Sequence, residues 1–310
     1  MTVNLLLTGA TGFIGGRAAE AARHQPGVRL RLLSRRPAVG DPPQTEHIRA
    51  DLADPSTLYG CCAGVDVLVH CASRVGGDPE TVTAVNDLGT RALVAEAVRS
   101  GVRRIVYVST AAVHGRGPFR GVRPGEAPIA PASATSRSRA AAERYVLDAG
   151  GVVLRPHLVY GRGDHWVVPG LVGLLRELSA TLTGCDARQS MIDADTLGRA
   201  VVAAALSGTG PRPGSVHYVN HPDPVPVPEL LAAVGARVER SGVTASVDVG
   251  TALARAAGSP RALHHLGMLT VDHWFTDDAF WREVDCSPGP GFAEAFAHAA
   301  PWYRTFMAGN

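Results

Sequence analysis

Residues 5–16 read LLLTGATGFIGG. The leading leucines have the continuous apolar character of a strand covered on both faces, and the residues after Gly12 open a helix. Between them stand Gly9, Gly12 and Gly15. In such a turn Gly9 permits the tight bend, Gly12 lets the backbone approach a pyrophosphate, and Gly15 lets helix and strand pack closely. The free N–H groups at the helix start, around Thr11, Phe13 and Ile14, would then hold the anion. Three glycines alone make only a tight turn, but a strand before them and a helix after them make a dinucleotide site.

Outward from this turn, strand-like runs and helical patterns alternate. The strands are VNLLLTG (3–9), VRLRLLSR (28–35), EHIRADL (46–52), VDVLVHCAS (65–73), RRIVYVST (103–110) and GVVLRPHLVYG (151–161). Helices are expected over about 13–24, 83–100 and 136–149. Short Val/Leu/Ile strands separated by amphipathic helices specify an α/β fold, a doubly wound parallel sheet. Residues 116–134, rich in Pro and Gly, read as a long loop, either a functional lid or a mobile linker. After Gly161 the pattern loosens, with helices near 168–180, 195–207 and 227–236, and strands at VHYVN (216–220) and 243–249. The expected division is a cofactor domain over 1–160 and a smaller substrate lobe over 161–310, some of whose elements return to the main sheet.

The end of the second strand bears on the cofactor. An adenosine ribose with a free 2′-hydroxyl favours a carboxylate there, whereas a 2′-phosphate favours cations. LLSRRPA supplies Ser34, Arg35 and Arg36 and no acid, which predicts NADP(H).

Composition narrows the partners. Of 310 residues 45% are apolar and 19% charged, and the net charge is +2, too small to imply a nucleic-acid or membrane surface. The sequence contains no lysine, so all 30 basic residues are arginine. The five cysteines form no CxxC pair and no disulfide framework, and they read as reduced thiols of a cytoplasmic protein. MTVNLLLTGA lacks a basic leader, so no signal peptide is expected. His217 and His221 have HxxxH spacing but fall across a strand and a turn, so no metal site is expected.

TGATGFIG, the DL at 51–52, VDVLVHCAS, VNDLGT (85–90), IVYVSTAAVHG, LRPHLVYGRGD and MIDADTLGRA together resemble the extended short-chain dehydrogenase/reductases. The resemblance implies that Asp51 and Leu52 flank the adenine. It places Cys71, Ala72 and Ser73 at the cofactor ribose, and Pro156, His157 and Leu158 at the nicotinamide carboxamide. It makes Asn86 a structural, helix-kinking residue. The family's catalytic set is a Ser or Thr on the substrate oxygen, plus a Tyr four residues before a Lys. Thr110, with Ser109 beside it, occupies the first position. Counting back from Glu143 puts Thr135 at the Tyr position and Arg139 at the Lys position. None of the six tyrosines has a basic residue four places on. Arg139 can keep a ribose contact, but an aliphatic hydroxyl cannot replace a phenol of pKa about 10 as the acid.

The expected activity is therefore NADPH-dependent reduction of a ketone whose own neighbouring hydroxyl supplies the hydrogen bond, as in an aromatic polyketide of angucyclinone type from an antibiotic pathway. Ser109 and Thr110 would orient the carbonyl, and His114, His165 and Trp166 would line the substrate site. A non-catalytic, NADP-binding redox sensor is the alternative.

Overall fold

In a computed structural model of the chain, residues 2–36, 45–239 and 245–309 are described. In chain order the first half contains β1 (Val3–Thr8), α1 (Phe13–Arg23), β2 (Val28–Ser34), β3 (Glu46–Arg49), β4 (Val67–His70), α2 (Pro79–Thr83), α3 (Gly89–Arg99), β5 (Arg104–Val108), β6 (Phe119–Val122), α4 (Ala134–Asp148), β7 (Val152–Arg155) and β8 (Leu158–Tyr160). The second half follows with α5 (Val167–Leu178), β9 (Thr181–Thr183), β10 (Arg188–Gln189), β11 (Met191–Asp193), α6 (Ala194–Leu206), β12 (Val216–Tyr218), β13 (Val225–Pro226) and α7 (Val227–Val234). It closes with β14 (Ser246–Asp248), α8 (Val249–Arg255), α9 (Pro260–Leu269), β15 (His273–Phe275), α10 (Asp278–Glu283) and α11 (Phe292–Ala308).

Seven strands form one parallel sheet in the order β12-β7-β5-β4-β1-β2-β3. The LLL run shows why its strands are apolar throughout. Leu5 and Leu7 face the core shared with α1 and α6, while Leu6 faces the core under α3 and α4. Helices α1 and α6 pack closely because their contact is built from small residues. A Cβ at Gly198 would lie 2.6 Å from the Arg17 carbonyl carbon. A third core gathers α5, α7, α9 and α11 around Leu171, Leu175, Leu230, Leu266 and Phe296. Thus β12 and α6, although late in the chain, belong to the main sheet and its covering layer.

Two expectations change. The helix expected from 83 begins at Pro79, because Asp78 accepts Thr81 N–H as an N-cap, and it passes through a π turn over 84–88 that contains Asn86. The segment 116–134 is not a free loop, since β6 pairs in parallel with β15 in a four-stranded sheet ordered β13-β10-β15-β6. Of the aromatics at 274–281, Phe280 and Trp281 are core residues beside α6, and Trp274 packs at Gly121. The expected strand over 243–249 lies partly outside the described residues. No helix among those described is long and apolar enough to cross a membrane, and they contain no cluster of three His, Cys, Asp or Glu side chains able to hold a metal ion.

Candidate active site

A cleft of about 1070 Å³ runs across the carboxyl ends of the central strands. Its floor is the glycine turn. Gly9 has φ +80°, and a Cβ there would sit 2.6 Å from Ala72 N; one at Gly15 would sit 2.1 Å from Gly9 O. Gly12 caps α1 without a side chain, and the first turn of the helix contains no acid. The backbone is thus bare, and helix N–H groups face an anion-sized space, which fits a dinucleotide pyrophosphate.

A buried relay holds the neighbouring wall. Thr90 Oγ1 donates to Asn86 O, so it accepts from His70 Nε2 at 2.9 Å; His70 Nδ1 then accepts from Thr8 Oγ1 at 2.6 Å. Thr8 Oγ1 in turn accepts from Ala72 N. Burial, aided by the Arg139 charge, pushes the His70 pKa down to about 3, which keeps the ring neutral. Asn86 Oδ1 accepts from Arg74 N at 2.7 Å and from Ser73 Oγ at 3.3 Å, while its Nδ2 donates to Arg74 O. Cys71, Ala72 and Ser73 line the cleft on this fixed backbone, and burial raises the Cys71 thiol to about 12. The roles of Thr8, His70 and Thr90 were not legible in sequence, because Thr8 and His70 inside apolar strands signal only a buried polar pair and Thr90 lies on a helix.

At the other end Ser34, Arg35, Asp51 and Leu52 line the cleft. Arg36 is exposed beside Arg35. Its carbonyl accepts the Ser34 hydroxyl at 2.7 Å, and its exposed side chain lies outside the lining.

The reacting end holds Ser109, Thr110, Arg139, Pro156 and His157. Ser109 Oγ donates to Glu143 Oε1 at 2.5 Å, so its proton is spent inside the protein. Glu143 is itself bound by Arg155, through Nε to Oε1 at 2.9 Å and Nη2 to Oε2 at 2.6 Å. Thr110 Oγ1 accepts only from Ala112 N at 3.2 Å, which leaves its hydroxyl proton unclaimed by the described residues. Thr135 is not in the cleft lining; its Oγ1 accepts from Gly76 N. Arg139 lines the cleft, donates from Nη2 to Val108 O and has a buried Nε with no partner among the described residues.

His157 is oriented by Gln189. The Gln189 amide nitrogen donates to three carbonyls, of Met268, Leu269 and Val271, so Gln189 Oε1 accepts from His157 Nε2 at 3.2 Å. His157 Nδ1 is therefore the unprotonated nitrogen. Burial, and then the neighbouring His273, push its pKa down to about 3.

Two more expectations are corrected here. His114 is 3% exposed and not in the cleft lining. Its Nδ1 donates to Pro128 O at 2.8 Å, and its Nε2 faces the Tyr218 hydroxyl and Arg155, so it is a packing histidine rather than a substrate contact. Leu158 likewise lies outside the lining. Its N–H donates to Ser190 O and its side chain packs into the C-terminal core. His165 and Trp166 do line the cleft, with Trp166 63% exposed and His165 edge-on to Phe306 at 4.8 Å.

Comparison with known proteins agrees with this geometry. The model of the NAD dependent epimerase/dehydratase family matches residues 5–216. A 2-alkyl-3-oxoalkanoate reductase of Stenotrophomonas maltophilia is 31% identical over 271 residues, covering 78% of this chain and 81% of that protein. A 4-hydroxy-2-methyl-3-oxo-4-farnesyl-3,4-dihydroquinoline-1-oxide ketoreductase of Stigmatella aurantiaca is 30% identical over 275 residues, covering 84% and 78%. Among solved structures, the Bordetella bronchiseptica enzyme WbmH in complex with NAD+ superposes with a TM-score of 0.78 at 21% identity, over 99% of this chain and all of that one, a likeness of fold. The seven-stranded parallel sheet, the bare glycine turn at its carboxyl edge and the family match over two thirds of the sequence agree, and the chain belongs to the NAD dependent epimerase/dehydratase family.

Proposed function

We propose that the chain is an NADPH-dependent ketoreductase that acts in the cytoplasm on an aromatic polyketide carbonyl without the tyrosine and lysine proton relay. Its reaction class is that of the angucyclinone ketoreductase of simocyclinone biosynthesis. Residues 1–160 serve as the cofactor domain and 161–310 as the substrate lobe. NADP is favoured over NAD by Ser34 and Arg35 in the cleft at the end of β2, where no carboxylate stands. Two relatives named as reductases of oxo compounds support the ketone.

The observation that carries the reading is the hydroxyl inventory of the reacting end. Ser109 has spent its proton on Glu143; Thr110 and Thr135 each only accept, from Ala112 N and Gly76 N, and of these two hydroxyls Thr110 alone lines the cleft. The cofactor, when bound, supplies a hydride to the carbonyl carbon. Thr110 orients the carbonyl oxygen, Arg139 brings positive charge to the same end, and a hydroxyl next to the substrate ketone stabilises the developing alkoxide from within the substrate.

The test is NADPH oxidation over a panel of polyketide quinones and ketones, each paired with an O-methylated analogue. Ketones with a free adjacent hydroxyl should turn over at least about tenfold faster, the worth of one hydrogen bond to a developing charge. No oxidation across the panel despite tight NADPH binding would sink the reading. That outcome is what a redox sensor predicts, the second reading that the substituted Tyr and Lys positions favour.

A further inference from the structure

The turn after β8, residues 161–166, is held from below by the last helix. Tyr303 of α11 accepts from Gly161 N at 2.7 Å and donates to Asp164 Oδ2 at 2.9 Å. Asp164 also accepts the N–H groups of Trp166, Val167 and Val168, which caps α5, and it is 1% exposed. Both of its carboxylate oxygens are spent. The nearest acid in sequence therefore does not neutralise Arg162, which is exposed, lines the cleft, and has no hydrogen bond or ion pair to any described residue. Next to it Gly163, at φ +101°, rests on Phe13, the first residue of α1; a Cβ there would lie 3.1 Å from the Phe13 ring. The loop thus sits on the uncapped, acid-free helix start, with an unpaired guanidinium.

We propose that Arg162 grips the diphosphate of the bound dinucleotide, so that the anion is bracketed between the N-terminus of α1 and a cation from the second half of the chain. This rests on the dinucleotide reading of the cleft. A guanidinium suits the task because its planar fork donates to two phosphate oxygens at once, and the α1 dipole adds to the same field. Through Asp164 and Tyr303 the grip is anchored to α11, which makes the C-terminal helix part of the cofactor site.

Binding decides the matter without turnover. Dissociation constants are measured by titration calorimetry on the full chain for NADP+, NAD+, ADP-ribose and adenosine 2′-monophosphate, in wild type, Arg162→Gln and Arg162→Lys. Arg162→Gln should weaken the three diphosphate ligands by a common factor of about ten and leave the monophosphate unchanged, with part of the loss recovered in Arg162→Lys. Unchanged binding of all three overturns the proposal. So does a loss confined to NADP+ and the monophosphate, which would assign Arg162 to the 2′-phosphate. A wild-type chain that binds none of the dinucleotides overturns the dinucleotide reading and the grip together, whereas tighter binding of NAD+ than NADP+ defeats only the NADP preference and still lets the diphosphate ligands judge Arg162.

Discussion

Ser109 and Thr110 stand side by side in sequence and look interchangeable, yet the structure gives them different work. Ser109 completes a buried carboxylate, and Thr110 faces the cleft with a free hydroxyl proton. Ser109→Ala should destabilise the fold by about 1–3 kcal/mol, because it leaves Glu143 short of a partner, and should lower kcat only modestly. Thr110→Ala should cost about 1 kcal/mol or less, the loss of its cap on Ala112 N, and lower kcat about tenfold or less. Urea denaturation and steady-state kinetics on the two variants separate these outcomes. Abolition of turnover by Thr110→Ala would return the proton donor to the protein. His70 provides a pH test. Its folded pKa, about 3, lies below the unfolded value of about 6.5, so the unfolded chain binds the extra proton in that window. This residue therefore costs nothing above pH 6.5, and stability falls by up to about 1.4 kcal/mol per pH unit from it as pH drops toward 3. Comparing wild type with His70→Gln at pH 7 and pH 5 should show the variant losing less on acidification. Equal losses would mean that His70 is protonated in the fold.

At the scale of elements, α4 and β7 are joined by a buried ion pair. Arg155 and Glu143 are 5% and 3% exposed, and their two hydrogen bonds tie the helix that follows Ser133 to the strand that precedes Pro156. Arg155→Met removes one partner and strands the carboxylate, so it should cost about 3–5 kcal/mol, while Arg155→Met with Glu143→Leu should recover most of that loss. Thermal denaturation of the single and double variants checks this, and an additive double loss would contradict it. The elements that sequence made legible are those whose signal is local. The α1 helix was expected over 13–24 and spans Phe13–Arg23, and the helix expected over 195–207 spans Ala194–Leu206. β6 was missed because its partner β15 lies some 150 residues away and Phe119–Val122 alternates no clear apolar face. The early start of α2 is set by Asp78 as cap and Pro79 as first helical residue, four residues before the expected 83.

For the whole molecule, the dinucleotide-binding turn was legible because it is written locally, in Gly9, Gly12 and Gly15 between a buried strand and a helix. The reacting end was legible only as a deviation from a pattern, Thr135 and Arg139 where a Tyr and a Lys were expected. What sequence did not show is that Ser109 gives its proton to a buried carboxylate, since that depends on Glu143 and Arg155 meeting across the fold. His114 illustrates the same limit. It follows Ser109 and Thr110 by only a few residues, yet it is turned inward by Pro128 and Tyr218. The account therefore locates cofactor recognition in the protein and part of the stabilisation of the nascent alkoxide in the substrate. The most direct test is incubation with 4-deuterated NADPH and a ketone bearing an adjacent free hydroxyl, followed by mass spectrometry and NMR of the product. The account predicts one deuterium on the former carbonyl carbon, incorporated at least about tenfold more slowly when the hydroxyl is methylated; label absent from both products, with NADPH bound and unconsumed, would contradict it.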